Sequence, residues 1–231
     1  MALNRKKSIS FPTETVTLKF VELSAVDGSA KKISINNFIV HRDILYQSQW
    51  FARQPTTEED GPVLICHERK GVGEQLINWL YFNNLPYSYA DLAKVGDEGI
   101  RIGTEIVNAY CFAVKVELED WANALLDSFC SVALEDMPWI KYLHALQSVQ
   151  SSDEGLRALI MRVLASSIRE TGWDRYIQEV NHELSQMVRD GGEFAENLVR
   201  CLADPETATK LPLQQKKAKC KWHIHRMTKK C

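Results

Sequence analysis

Four residues near the C-terminus, Cys220, His223, His225 and Cys231, follow the pattern C-x2-H-x-H-x5-C and offer two thiolates and two imidazoles to one tetrahedral Zn2+ ion. The spacing is not that of a zinc finger, and no hairpin and helix intervene. Surrounding lysines raise the cost of gathering a cation but favour the thiolate form. A structural zinc in this tail is the one cofactor the residues point to. Acid–base chemistry would fall to His41, yet a general base needs a nucleophile or an orienting carboxylate within hydrogen-bond reach. No recognisable Ser/His/Asp or Cys/His constellation accompanies it. His41 is read instead as capping or bridging backbone groups at a strand-to-helix turn. Gly71-Val72-Gly73-Glu74 lacks the third glycine and the acidic partner of a dinucleotide site and reads as a helix start, while His182-Glu183 lacks the second histidine of a zinc protease. No catalytic residue is expected, and hence no enzyme.

The elements that hold these residues are visible as periodicity. Val16, Leu18 and Phe20 alternate with Thr17, Lys19 and Val21 as a half-buried strand, and a polar stretch from Ser24 to Ala30 turns the chain into a second run, Lys31 to Val40, broken by Asn36-Asn37. From His41 the period becomes helical, and one short helix is expected to close at Pro55. Val63 to Cys66 reads as a brief third strand. A helix over Gly71 to Leu85 carries Val72, Leu76, Trp79 and Leu80 on one face. After a loop rich in Gly and Asp, Ile102, Ile106, Ala109, Ala113 and Val116 mark one amphipathic helix and Trp121, Leu125 and Phe129 another. Further helices are expected to open at Asp136 with Pro138, at a Ser151-Ser152-Asp153-Glu154 capping box, along Trp173, Ile177, Val180, Leu184 and Met187, and from Phe194 to Leu202. Strands interleaved with helices early, then helices alone, predict an α+β fold: a small, mostly antiparallel sheet covered by helices, followed by an all-α extension.

Composition sets the outer bounds. The 231 residues are 45% hydrophobic and 25% charged, which suits a globular chain with its own core. Nothing approaches the roughly eighteen uninterrupted apolar residues of a membrane span, and the N-terminus lacks the apolar centre of a secretory signal. A cytoplasmic or nuclear location is therefore expected, without a membrane partner and with Cys66, Cys111 and Cys130 as buried, reduced thiols. The stretch from Lys210 to Cys231 holds eight Lys/Arg and no acid, so with a total charge of −2 the preceding residues carry −10. An acidic body argues against a broad nucleic-acid surface, and the tail reads as a solvated terminus. Trp79, Tyr81 and Phe82 lie at helical spacing without interleaved Arg or Lys, which suits a core or interface rather than base stacking.

Two stretches carry a family resemblance: FIVHRDILYQSQWF at 38–51 and NWLYFNNLPY at 78–87. With them, residues 14 to about 132 resemble a BTB/POZ domain of the fungal type that carries a helical C-terminal extension. The first stretch is similar to the family's strand-to-helix motif through Phe38, Val40, His41, Arg42, Leu45, Ser48 and Phe51. The second is similar to its second-helix motif, a Leu-Tyr pair before a turn and a second aromatic. The chain departs from the family at Thr15, where an aspartate usually precedes the first strand's Val, with Glu14 beside it. The resemblance implies a protein-interaction adaptor, homodimerising in many members, whose first helix contributes Trp50 and Phe51 to the interface if they are not core. It also offers Val95-Gly96-Asp97, in the loop before the third helix, as a hydrophobic-x-acidic element of the kind some members present to a cullin-3 scaffold.

The reading is then a disordered N-terminus at 1–13, a BTB/POZ-like domain at 14–135, a helical extension at 136–203 and a basic Cys/His tail at 204–231. Its function is non-enzymatic recruitment of other proteins, with His41, Arg42, Leu45, Trp50, Phe51, Val95 and Asp97 as interaction residues. The alternatives are a substrate receptor of a cullin-3 RING ubiquitin ligase and a nucleic-acid-associated regulator that uses the tail.

Overall fold

In a computed structural model, residues 14–26, 29–55, 63–66, 68–131, 139–147, 155–180, 182–204 and 222–225 are described. The expectations for residues 1–13, for Asp136 with Pro138 and for the Ser151 capping box lie outside them. The fold is α+β, and the chain divides into two compact units, 1–84 and 85–231.

The first unit is built on a hairpin of β1 (Thr15–Val26) and β2 (Ser29–His41). Their antiparallel register runs from Thr15↔His41 to Val26↔Ser29, with an irregularity between Glu22 and Leu23. Both strands therefore run further than their apolar alternation indicates: Ser24 pairs with Lys31 and Ala25 with Ala30, and Asn36-Asn37 stay in the ladder opposite Phe20 and Lys19. The two residues between Val26 and Ser29 are Asp27-Gly28, a sequence favoured in two-residue hairpin connections. A short β3 (Val63–Cys66) joins the other edge of β1 in parallel, giving the order β2-β1-β3 in a mixed sheet.

Val16, Leu18, Phe20, Val40, Leu64 and Cys66 point to one face of this sheet and are buried there. On that face α3 (Lys70–Phe82) packs against β1 and β2. Close approach is possible because Gly73 meets the T-shaped pair Phe20–Phe38: a Cβ on Gly73 would sit 2.9 Å from Phe38 Cε2 and 3.0 Å from Phe20 Cδ2. The single helix expected after His41 is two, α1 (Arg42–Leu45) and α2 (Gln49–Arg53). Buried Ser48 separates them because its Oγ accepts the Phe51 N–H at 3.4 Å and so restarts the helix as an N-cap.

The second unit is helical among the described residues. The loop expected after Pro86 contains a one-turn helix, α4 (Tyr89–Leu92), followed by α5 (Gly96–Lys115) and α6 (Glu119–Phe129). The apolar residues read for α5 and α6 are all buried. Glu117, at φ 59°, closes α5: the Leu118 N–H reaches the Ala113 carbonyl and its own N–H that of Val114, which satisfies the helix end and turns the chain tightly into α6. Beyond them come α7 (Trp139–Gln147), α8 (Gly155–Thr171), α9 (Trp173–Val180), α10 (His182–Asp190) and α11 (Gly192–Ala203). α8 is buried on nearly every side and packs against both α7 and α11. Its N-terminus is tied by a distant group, the Tyr110 hydroxyl, which accepts the Leu156 N–H at 3.2 Å. The helix expected over Trp173 to Met187 is divided between α9 and α10.

Candidate functional site

His41 ends β2 and stands at the N-cap position of α1, but its imidazole caps no helix N–H there. It reaches across to α3 instead. The Tyr81 hydroxyl lies 2.7 Å from His41 Nδ1 and accepts the His41 backbone N–H at 3.0 Å. The expected capping of the turn by the ring is thus not what is seen, and a tyrosine hydroxyl gathers both the ring and the N–H of His41. One phenol oxygen can do so because it carries a donor hydrogen and two lone pairs. His41 belongs to the 38–51 stretch and Tyr81 to the 78–87 stretch, so the two segments that carry the resemblance are joined by one residue pair.

Beside it, Arg42 fastens the entry of β1. Its N–H donates to the Glu14 carbonyl at 3.0 Å, its guanidinium pairs with the Glu14 carboxylate, and the same group lies 5.2 Å from the centre of the Tyr46 ring. Hydrogen bonding to Glu14 raises the Arg42 pKa, which keeps a group already cationic in that state. Glu14 thus supplies a negative partner one position before Thr15. Leu45 and Phe51 are fully buried inside this chain, so they are core residues; of the other expected interaction residues here, Arg42 is exposed and His41 and Trp50 are half-buried.

Sequence reasoning passed over the other face of the sheet. The register places Ile39, Thr17 and Val63 in one row across β2, β1 and β3, and Asn37, Lys19 and Ile65 in another. Ile39 is 72% exposed, Ile65 49% and Ile35 44%. The signal was present as isoleucine at alternate positions on the side of β2 opposite Val40.

In the second unit Val95 and Asp97 lie where α5 begins rather than in a loop: Val95 is its N-cap residue and Asp97 sits in its first turn, where a carboxylate complements the helix dipole. Val95 is 57% exposed and Asp97 is exposed. A ladder of charges surrounds them. Lys94 bridges Asp91 at 3.0 Å and Glu98 at 3.4 Å, and Arg101 pairs with Glu98 and Glu105. Ser88 and Asp91 cap α4 reciprocally, with the Ser88 N–H and Oγ donating to Asp91 and the Asp91 N–H to Ser88 Oγ. These contacts hold both carboxyls at about 2, Asp91 through Ser88 first and Glu98 through Arg101 first.

The C-terminal stretch departs most from its reading as a solvated terminus. Its described residues, 222–225, are seated on the helices of the second unit, with Trp222 and Ile224 buried. Asn123 of α6 clamps Ile224 in both directions, accepting its N–H at 2.7 Å and donating to its carbonyl at 2.9 Å. One turn on, Asp127 Oδ1 lies 3.0 Å from His223 Nε2. The Arg162 guanidinium of α8 stacks 5.4 Å from the centre of the Trp222 ring and pairs with Asp204, just after α11. The His223 and His225 rings are 5.9 Å apart, and Cys220 and Cys231 lie outside the described residues. Among the described residues no three His, Cys, Asp or Glu side chains gather as a metal site, and no helix is long and apolar enough to cross a membrane. No protein-family model matches the chain, and no curated protein shows significant similarity to it.

Proposed function

We propose that this protein is a non-enzymatic adaptor, built on a BTB/POZ-like core, that works in the cytoplasm or nucleus by binding other proteins. The observation that carries the reading is the outward face of the β2-β1-β3 sheet, where Ile35, Ile39 and Ile65 remain exposed although a folded chain hides such side chains where it can. The order of strands and helices in 14–82 and the His41–Tyr81 bond between the two resembling stretches support the family side of it. Binding energy would come from apolar anchors, with Arg42 and Lys19 at their margin setting orientation.

Light scattering and affinity purification of the full chain test the reading, with Ile39→Asp as the probe because its side chain lies outside the core. The adaptor reading expects either a dimer or a set of bound proteins that Ile39→Asp abolishes while helical content stays unchanged. A monomer whose recovered proteins are the same with and without the substitution overturns it. The narrower reading, a cullin-3 substrate receptor, draws on exposed Val95 beside Asp97 at the start of α5. Co-purification with tagged cullin-3, lost in Val95→Asp, supports it; absence of the complex removes it.

A further inference from the structure

We propose that the seat on α6 and α8 that holds residues 222–225 also accepts the same segment from a second copy of this chain, so that two copies exchange C-terminal segments and each completes the other's seat. What is held is a short strip without helix or strand, along which burial alternates: Trp222 and Ile224 are buried, while His223 and His225 are half-buried. The grip falls on features that any copy of the segment carries. Asn123, itself buried, accepts the Ile224 N–H at 2.7 Å and donates to the Ile224 carbonyl at 2.9 Å, so it reads a backbone unit. Asp127 Oδ1 meets His223 Nε2 at 3.0 Å, and the Arg162 guanidinium lies over the Trp222 ring. None of these contacts depends on which chain supplies the segment.

The connection to the segment is a second, independent observation. Asp204, just past α11, pairs with Arg162 at 2.9 Å, and Trp222 stacks on the same guanidinium. Both ends of residues 205–221 therefore meet at one side chain, although that stretch is long enough to reach about 55–60 Å when drawn out. A short connection would commit the segment to its own seat; this one lets it reach a neighbour's. Exchange of an identical element restores every contact in both copies, which is why it is a low-cost route to a dimer. Charge favours the same partner: the stretch from Lys210 to Cys231 is basic and the residues before it carry −10, so the end of one copy is drawn to the body of another. Within one chain the segment meets its seat at an effective concentration in the millimolar range, so a dilute chain closes on itself and exchange appears where copies are concentrated. All the residues concerned belong to the second unit, whereas Ile35, Ile39 and Ile65 belong to the first.

Two full-length variants test the exchange, both carrying Ile39→Asp so that association through the sheet is not mistaken for it. The acceptor, Trp222→Ala with Ile224→Ala, has a vacated seat; the donor, Asn123→Ala with Arg162→Ala, has a released segment. Each alone should sediment as a monomer, and an equimolar mixture at about 100 μM should form a 1:1 complex. Adding Asn123→Ala to the acceptor should weaken that complex about tenfold or more. A mixture that stays monomeric, while both variants keep the helical circular dichroism of the unaltered chain, overturns the exchange. So does a complex indifferent to Asn123→Ala in the acceptor. Should either variant fail to fold, Trp222→Ala alone serves as acceptor and a labelled synthetic peptide of residues 221–228 as donor, read by fluorescence anisotropy. The peptide should bind this acceptor about tenfold tighter, or more, than it binds the unaltered chain, whose own segment fills the seat. Equal affinity for the two, or binding to neither, overturns the proposal.

Discussion

At Tyr81 a single oxygen serves both the backbone and the ring of His41, and at Gly73 the missing side chain lets α3 lie on Phe20 and Phe38. Tyr81→Phe keeps the ring and deletes the oxygen, so the His41 N–H loses the acceptor it uses here. Removing one partner of a part-buried hydrogen bond costs about 1–3 kcal/mol, and urea unfolding should register a loss in that range. A loss under about 0.5 kcal/mol would mean that water takes over the hydroxyl's place. Gly73→Ala sets two effects against each other. Alanine in a helix gains at most about 1 kcal/mol over glycine, whereas forcing a methyl into a filled core costs about 1–3 kcal/mol. Phe20 is fully buried and cannot swing away, so a net destabilisation of up to about 2 kcal/mol is expected. Gly71→Ala, two residues earlier with nothing within 4 Å of its Cβ position, is the control and should be neutral or slightly stabilising in the same titration.

The α4–α5 junction depends on carboxylates. Asp91 and Glu98 are held at about 2, below the ordinary range near 4, so each stabilises the folded state above its unfolded pKa and loses that contribution as pH falls from about 4 towards 2. The thermal midpoint of the full chain should therefore drop across that window, and Ser88→Ala, which removes the leading cause of the Asp91 shift, should flatten the fall. Both carboxylates are exposed, so the effect should shrink in high salt. At this scale the chain is unevenly legible from its residues. The faces of α5 and α6 follow from apolar spacing because each is long enough to repeat its period, whereas on α3 Val72 and Leu76 are buried but Trp79 and Leu80 only half-buried. The break at Ser48, the single turn of α4 and the division of α9 from α10 escape that test, because a local cap or a change of direction decides them within four residues. The full length of the hairpin is hidden for a related reason: β1 reaches Val26 and β2 starts at Ser29, while the polar residues around them imitate a longer loop. The site residues fared similarly. His41 and Arg42 were found by type, but the partner of His41 is set by how α3 crosses the sheet, which no spacing along the chain encodes.

Across the whole molecule the decisive contact joins residues 101 positions apart, Asn123 to Ile224. Four residues at period two are too few to announce burial, and a basic neighbourhood masks Trp222 and Ile224 among lysines. The second unit nevertheless spends a buried asparagine, an arginine stacked on tryptophan and an aspartate on holding them. Two hydrogen bonds to one backbone unit are worth about 1–3 kcal/mol together, and a buried cation–π contact adds on the order of 1 kcal/mol. Asn123→Ala is therefore expected to release the segment, and the Lys- and Arg-rich stretch from Lys210 to Lys230 should then be cleaved faster by trypsin than in the unaltered protein. In a chain of this size each kcal/mol lost moves the thermal midpoint by about 2–4 °C, so a fall of a few degrees should accompany the faster cleavage. Chelator-treated protein isolates the hydrogen bonds from any bound metal, and equal cleavage rates there would show that Trp222 and Ile224 are held by apolar contact without help from Asn123.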